Sequence, residues 1–294
     1  MRNILLFIIL VSFFTTNLAY SQPVANTSGI QDTLSKLSSK IWKQKTDSDR
    51  LLANTIFLKK FQSVLETMSP VEIALDSING ITRVASDDGK IRLFTWNVPL
   101  NDGTNKYFGF IQVKLDSSFI VPLQSIATDP FDFDKKQLAS LLWYGAIYYK
   151  LIEVELNGQK IYTLLGWDGY TSNSNRKFID IVYLDENRNI VFGMPVFKTD
   201  KGIKTRVILE YAEKANLLLR YDYQAISVEK KKKIKKENNW IIVMDRMVPM
   251  DPSMEGYRKY YVPAGDTYDG YIFRNGYWTL VENIDVANKL SLTK

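Results

Sequence analysis

The chain has 294 residues, a formal net charge of +6, 46% hydrophobic residues, and neither cysteine nor histidine. The missing residue types exclude Ser-His-Asp and Cys-His catalysis, disulfides, and metal or iron–sulfur sites built on imidazole or thiolate ligands. The charge is modest and much of it lies in one lysine run, whereas nucleic-acid-binding proteins spread basic residues over a face, so we expect no nucleic-acid partner.

The N-terminus has the pattern of a cleaved export signal. Arg2 precedes an apolar stretch at residues 4–14, and Ala19 and Ser21 are the small residues that a signal peptidase requires before its cut. An uncleaved membrane anchor is the alternative, but the stretch is shorter than the roughly 20 residues that span a bilayer. We therefore expect a signal peptide at residues 1–21 and an exported product, periplasmic or associated with the cell envelope and soluble after cleavage.

Residues 22–79 are predicted to form a helical segment. One helix covers residues 30–43, and a second runs to residue 68 from an N-cap at Asp47 or Ser48, because apolar residues recur on one face at the helical period. Two short helices bury too little surface to be stable alone, so we expect this segment to pack against the rest of the chain.

From residue 80 to residue 294, short strand-like segments alternate with turn signals, several of them Asp-Gly or Asn-Gly pairs that favour tight hairpins. The predicted turns fall at residues 87–89, 101–103, 157–158, 185–189, 212–215, 236–239 and 275–276. This pattern predicts a mainly β fold, an antiparallel meander of hairpins that forms a sandwich or a barrel-like core. A propeller fits less well because no repeat of blade length is present.

A set of aromatic and glycine-containing motifs spans most of this chain. They are RLFTWN at 92–97, YFGFIQ at 107–112, WYG at 143–145, YYK at 148–150, YTLLGWDG at 162–169, VPM at 248–250, YVP at 261–263 and YDG at 268–270. Together they resemble an uncharacterised family of exported proteins from Bacteroidota-type bacteria. The resemblance implies an envelope location, and it carries no catalytic residue across because that family has no established activity.

The turn at residues 166–169 is one candidate binding site. Two glycines flank Trp167 and Asp168, so the indole could stack on a sugar or peptide while the carboxylate accepts hydrogen bonds from it. The alternative, which we favour, is a tight turn in which Asp168 caps backbone amides.

The aromatic cluster of Trp143, Tyr144, Tyr148 and Tyr149 is the other candidate. On a strand, Trp143 would share a face with Tyr149, and Tyr144 would share the opposite face with Tyr148. An exposed aromatic row would suit contact with a glycan or a protein. A buried row would be part of the hydrophobic core, and this is the interpretation we favour.

Two acidic segments resemble calcium-binding loops only in part. Asp129, Asp132 and Asp134 alternate as calcium ligands do, but the glycine of such loops is missing, and we expect a capped turn into a helix over residues 135–142. Residues 185–189 have isoleucine where that glycine belongs, which favours a hairpin turn. We expect no metal site and no cofactor.

The lysine run at residues 230–236 could contact anionic lipid headgroups or an acidic glycan. The favoured alternative is a solvated hairpin whose lysines prevent edge-to-edge pairing of strands. Membrane-surface contact through Lys230, Lys231, Lys232 and Lys233 is therefore the weaker hypothesis.

These observations favour a non-catalytic envelope protein that binds another envelope component, either protein or glycan. The alternative is a carboxylate-dependent hydrolase that acts on glycan or ester in the periplasm. A cleft with two facing carboxylates about 5 to 9 Å apart would favour the second hypothesis.

Overall fold

The computed structural model of the chain describes residues 27–67, 75, 78–125, 130–230 and 233–284. The predicted signal peptide, residues 1–21, lies outside the described residues, and so does Asp129 of the acidic segment. Among the described helices, none combines the length and the apolar character that crossing a membrane requires.

The two predicted helices are confirmed as α1 Thr27–Lys43 and α2 Asp47–Thr67. The N-cap of α2 is Thr46, whose hydroxyl accepts a hydrogen bond from the backbone N–H of Asp49 at 3.2 Å. The prediction of Asp47 or Ser48 as the cap is wrong, because both residues already lie in the first helical turn.

The strands are β1 Thr82–Ala85, β2 Ile91–Pro99, β3 Asn105–Lys114, β4 Ser118–Gln124, β5 Leu138–Ala139, β6 Ile147–Leu156, β7 Gln159–Asp168, β8 Ser174–Leu184, β9 Ile190–Phe192, β10 Phe197–Thr199, β11 Gly202–Lys204, β12 Val207–Ala212, β13 Leu219–Lys230, β14 Lys233–Pro249, β15 Tyr261–Arg274 and β16 Tyr277–Ile284. Within the described residues they form a first sheet, β1-β2-β3-β4, a second sheet, β5-β9-β8-β7-β6, and a third sheet, β11-β10-β16-β15-β14-β13. Strand β12 joins the second sheet by pairing with β8. Hydrogen-bonded neighbours run antiparallel except β10 and β16, which are parallel.

The helices and sheets are stacked in layers with hydrophobic side chains between them. The helices cover one face of the first sheet around Phe57 and Trp96. The other face of that sheet packs on the second sheet around Ile111 and Leu164, and the second sheet packs on the third around Trp278. Each sheet ends in two different edge strands. The predicted sandwich is therefore confirmed, and no sheet in the described residues closes into the alternative barrel.

The tight hairpin turns predicted from Asp-Gly and Asn-Gly pairs are confirmed. Gly89, Gly103, Gly158 and Gly276 have φ angles of 69°, 85°, 80° and 79°, which glycine adopts without steric cost. The turns join β1 to β2, β2 to β3, β6 to β7 and β15 to β16. The turn at residues 185–189 joins β8 to β9, as predicted.

Two of the predicted hairpin turns are wrong. The turn at residues 212–215 closes no hairpin, because β12 pairs with β8 in the second sheet whereas β13 pairs with β14 in the third. Residues 236–239 lie inside β14, whose pairing with β13 continues until Lys230 is opposite Lys233. Residues 236–239 are therefore strand and form no turn.

The helix predicted over residues 135–142 is also wrong. Two short 3₁₀ turns, Pro130–Lys135 and Ser140–Leu142, flank β5 in this segment. The buried guanidinium of Arg206 donates to the backbone carbonyls of Phe133 and Lys136, and β5 pairs with β9. These tertiary hydrogen bonds satisfy backbone groups that a helix would otherwise have paired internally.

Candidate functional site

A cavity of about 760 Å³ lies between helix α2, strand β3 and the loop that follows β7. Its wall is formed by Leu51, Asn54, Thr55, Leu58, Leu100, Thr104, Asn105, Lys106, Tyr107, Phe108, Gln124, Ser125, Tyr144, Asp168 and Tyr170. Apolar side chains and polar side chains thus share the wall, which is the usual composition of a small-molecule pocket. The carboxylate among these residues is Asp168.

Asp168 is the last residue of β7 and is only 5% exposed. The hydroxyl of Tyr144 donates to its Oδ2 at 2.9 Å, and the hydroxyl of Tyr107 also bonds to this carboxyl group. The backbone N–H of Gly169 in turn donates to the Tyr107 hydroxyl at 2.9 Å. The carboxylate is therefore held in one orientation by hydroxyls from strand β3 and from the loop before β6.

Arg176 lies opposite Asp168 on β8 and is 1% exposed. Its Nη2 pairs with Oε2 of Glu210 at 2.9 Å, and its Nη1 donates to the Tyr144 hydroxyl at 3.2 Å. The guanidinium carbon lies 3.1 Å from the centre of the Tyr170 ring. Arg176 thus connects β12, through Glu210, with two tyrosines of the pocket wall.

Burial raises the pKa of Asp168 above its ordinary value of 3.8. The hydrogen bonds from Tyr107 and Tyr144 and the charge of Arg176 oppose this increase, whereas the charge of Glu210 adds to it. Burial, together with the Asp168 charge, also raises the pKa of both tyrosines, so their hydroxyls stay protonated and act as donors.

The loop after β7 is fastened to the first sheet by amide side chains. Asn105 donates from Nδ2 to the backbone carbonyl of Gly169 at 2.7 Å, and Asn97 donates to Oδ1 of Asn105 at 2.7 Å. A Cβ atom on Gly169 would stand 2.8 Å from the Trp167 ring and 2.9 Å from the Asn105 amide. Glycine is therefore required at position 169 by close packing. The interpretation of residues 166–169 as a tight turn is wrong, because residues 166–168 end strand β7 and pair with β8, and Asp168 bonds to tyrosine hydroxyls where capped backbone amides were expected.

Helix α2 supplies the apolar side of the pocket. Leu51 and Leu58 are seven residues apart and therefore lie on the same face of the helix, with the buried Asn54 between them. The indole Nε1 of Trp96 donates to Oδ1 of Asn54 at 2.7 Å, which leaves the amide nitrogen of Asn54 as a donor for a ligand.

The structure separates the five sequence-predicted site residues into three groups. Tyr144 and Asp168 line the pocket and bond to each other. Trp143 and Tyr148 are fully buried in the core between the first and second sheets. Trp167 is half-buried outside the pocket wall, and its indole bonds to the Tyr211 hydroxyl.

The predicted sharing of strand faces in the aromatic cluster is wrong. Gly145 has a φ angle of 95° and turns the chain before β6 begins, so alternation does not extend from Trp143 to Tyr149. The Trp143 indole instead donates to the Tyr148 hydroxyl at 3.2 Å. The Tyr148 hydroxyl bonds in turn to the buried carboxyl of Asp180 at 3.3 Å. Trp143, Tyr144 and Tyr148 are buried in the core, as the favoured interpretation predicts, whereas Tyr149 is 38% exposed.

Sequence reasoning missed three functional candidates: Tyr107, Arg176 and Glu210. A hairpin between β7 and β8 would have placed Arg176 opposite Asp168, but its turn at residues 169–173 lacks an Asn-Gly or Asp-Gly pair. Glu210 reaches the site through the pairing of β12 with β8, which joins segments distant in sequence. Tyr107 was noted only as part of a motif.

The acidic segments form no cation site in the described residues. Asp134 pairs with Lys204 at 2.8 Å, and Asp185 accepts backbone N–H bonds from Asn187 and Asn189 within its hairpin turn. Within the described part of the chain, no group of three potential ligand residues is placed to hold a metal ion.

A second aromatic surface lies on the hairpin of β13 and β14. Beyond the end of their pairing with β15, these two strands continue as an arm toward the lysine-rich turn. Tyr223 and Trp240 are paired across the arm, 51% and 56% exposed, with ring centres 5.5 Å apart. Lys230 and Lys233 end the described pairing, and Lys231 and Lys232 lie outside the described residues.

The fold and the pocket define a layered, mainly antiparallel β protein with a ligand-sized cavity where its helices meet its first two sheets. Comparison of the chain with protein-family models, with curated proteins and with solved structures found no match. The geometry of the pocket is thus the basis for a functional argument.

Proposed function

We propose that the protein is a non-catalytic, exported binding protein of the cell envelope, and that its pocket holds the end of a glycan. The observation that supports this most strongly is the buried Asp168, fixed by Tyr107 and Tyr144 in the wall of a cavity of about 760 Å³. A preorganised acceptor of this kind costs little ordering when a ligand binds.

The rest of the wall suits a sugar. Gln124, Ser125 and Thr104 offer amide and hydroxyl groups for sugar hydroxyls, and Phe108 and Tyr170 offer aromatic surface for the apolar face of a sugar ring. A protein partner would instead need a broad exposed surface, whereas these groups converge inside a concave cavity.

Binding can be tested with a glycan array followed by isothermal titration calorimetry on the mature protein. Thr55 is exposed on α2 and lines the pocket, so Thr55→Trp places a large ring in the cavity without disturbing the core. Lys60 is exposed on the same helix away from the cavity wall, and Lys60→Trp is the matched control.

We expect the wild type and Lys60→Trp to bind the same glycan and Thr55→Trp to lose at least tenfold in affinity. Glycan binding that survives Thr55→Trp would move the site elsewhere on the surface. Capture of an envelope protein with no glycan bound would favour the protein-binding alternative.

Export and family membership are parts of the same proposal and rest on the sequence. Fractionation of host cells should place the protein in the envelope fraction, and its intact mass should correspond to a chain that begins at Gln22. Retention of Met1 in the mature protein would contradict the signal peptide.

A carboxylate-dependent hydrolase is the second candidate, favoured by the raised pKa of Asp168, since a protonated carboxyl can act as a general acid. Glycoside hydrolysis also needs a second carboxylate at the scissile bond. Glu210, the next buried carboxylate, is engaged by Arg176 and by the hydroxyl of Ser174 at 2.8 Å. The test is release of nitrophenol from nitrophenyl glycosides or esters. Activity in the wild type that is lost in Asp168→Asn would favour the hydrolase.

A further inference from the structure

The buried charges behind the pocket do not sum to zero. Asp168, Arg176 and Glu210 are 5%, 1% and 9% exposed. The guanidinium pairs with Glu210 through both Nε and Nη2, and it reaches Asp168 through the hydroxyl of Tyr144. With both carboxyls ionised, these three residues of the described part of the chain carry two negative charges and one positive charge, which leaves one negative charge in excess among them.

Asp168 is the member of this group that lines the cavity. A carboxylate has about four lone-pair sites, and hydroxyls from Tyr107 and Tyr144 occupy two of them. The remaining sites can accept hydrogen bonds from a ligand. An excess buried charge is stabilised either by uptake of a proton or by a bound cation.

The surroundings of Asp168 favour a cation at this position. Tyr107 and Tyr144 donate their hydroxyls to this carboxylate, and the Tyr170 ring already holds the Arg176 guanidinium, so an ammonium group in the cavity is attracted by the charge of Asp168. Lys106, the cationic residue of the wall, is exposed to solvent on β3, so its charge is hydrated at the edge of the cavity.

We propose that the ligand of this pocket is an amino sugar, whose free ammonium group binds Asp168 among the tyrosines while its hydroxyls bond to Gln124, Ser125 and Thr104. This inference rests on the proposed function and adds the chemical class of the ligand. A sugar is favoured over a simple polyamine because the wall carries amide and hydroxyl groups around a cavity wide enough for a disaccharide.

The test compares the glucosamine disaccharide with its N-acetylated counterpart, which has the same ring and hydroxyls but no charge. Calorimetry at pH 7 should show at least tenfold tighter binding of the amine by the wild type, as expected for a partly buried charge pair. In Asp168→Asn, this preference for the amine over the N-acetylated sugar should fall to about onefold. Asp116→Asn, at a 93% exposed side chain, is the matched control and should keep the preference.

Each other outcome overturns the inference. Equal binding of both sugars, or a preference that survives Asp168→Asn, would remove the ammonium from the site and leave the glycan proposal intact. Binding of putrescine as tight as that of the amino sugar would remove the sugar from the ligand class. If neither disaccharide binds, the amino-sugar assignment fails, and the comparison of Thr55→Trp with Lys60→Trp on the glycan array decides the glycan proposal separately.

Discussion

Asp168 and Arg176 face each other as cross-strand partners on β7 and β8, yet the hydrogen-bonded contact between them passes through the hydroxyl of Tyr144. The guanidinium is turned toward Glu210 on the opposite neighbour, β12. A direct ion pair between Asp168 and Arg176 would neutralise the pocket wall. The intervening hydroxyl instead leaves the carboxylate oriented toward the cavity, where a ligand can reach it.

Tyr144→Phe should lower the free energy of unfolding by about 1 to 3 kcal/mol, because the substitution leaves a buried N–H of Arg176 without this acceptor and removes a donor from Asp168. Urea denaturation followed by tryptophan fluorescence measures the change. Tyr257→Phe, at a 63% exposed ring, is the control and should alter stability by less than about 0.5 kcal/mol. Equal stability of Tyr144→Phe and wild type would show that this hydroxyl contributes nothing.

The raised pKa of Asp168 predicts a pH-dependent difference between the wild type and Asp168→Asn. The folded protein holds the Asp168 proton more tightly than the unfolded chain, so the resulting stability is complete below pH 3.8 and is lost as the pH rises through the folded-state pKa. At pH 7, Asp168→Asn should therefore be more stable than wild type.

This advantage should disappear on acidification below pH 3.8, because both proteins then carry a neutral group at position 168. Urea denaturation at several pH values gives the difference directly, and shifts at other carboxyls cancel in it. Asp116→Asn, at a side chain that is 93% exposed, serves as the control. An Asp168→Asn protein that is less stable than wild type at pH 7 would contradict the prediction.

The elements that follow from local chemistry could be predicted from the sequence. Asp-Gly and Asn-Gly pairs fixed the position of four hairpin turns, and helical periodicity located α1 and α2 to within a few residues. The motif around Asp168 drew attention to a residue of the pocket wall, but the tight turn favoured for it is the paired end of strand β7.

The elements set by distant contacts could not be predicted. Buried polar residues such as Ser174 and Arg176 made the beginning of β8 resemble a loop, and their partner Glu210 is more than 30 residues away in sequence. The sequence likewise predicts a turn at residues 236–239, which lie in the polar arm of β13 and β14. Strands are recognised by alternating apolar and polar residues, and this pattern is lost where a hairpin extends beyond the sheet and has no buried face.

Gly169→Ala should displace the loop of the pocket and weaken glycan binding by at least tenfold. The added Cβ would stand 2.8 Å from the Trp167 ring and 2.9 Å from the Asn105 amide, so the loop or its neighbours must move, at a cost of about 1 to 3 kcal/mol in stability. Gly158→Ala is the control, since its Cβ meets nothing within 4 Å and its φ of 80° costs about 1 kcal/mol. Both effects are measured by calorimetry and urea denaturation. Unchanged glycan affinity in Gly169→Ala would separate this loop from the ligand site.

Arg206→Met should be the most destabilising of these substitutions, with a loss of about 3 to 5 kcal/mol, because it leaves the fully buried carboxyl of Asp180 without its ion pair at 3.2 Å. It also releases the backbone carbonyls of Phe133 and Lys136, so amide hydrogen exchange should accelerate at residues 133–139.

The double variant Arg206→Met with Asp180→Asn should recover part of this loss, because the carboxyl charge left unpaired is removed as well. Arg188→Met is the matched control: its ion pair with Asp116 spans 3.5 Å between side chains that are 61% and 93% exposed, so stability should change by less than about 0.5 kcal/mol. Equal losses for Arg206→Met and Arg188→Met would mean that the buried pair does not stabilise the segment it holds. An undiminished loss in the double variant would assign the effect to the released carbonyls rather than to the charge of Asp180.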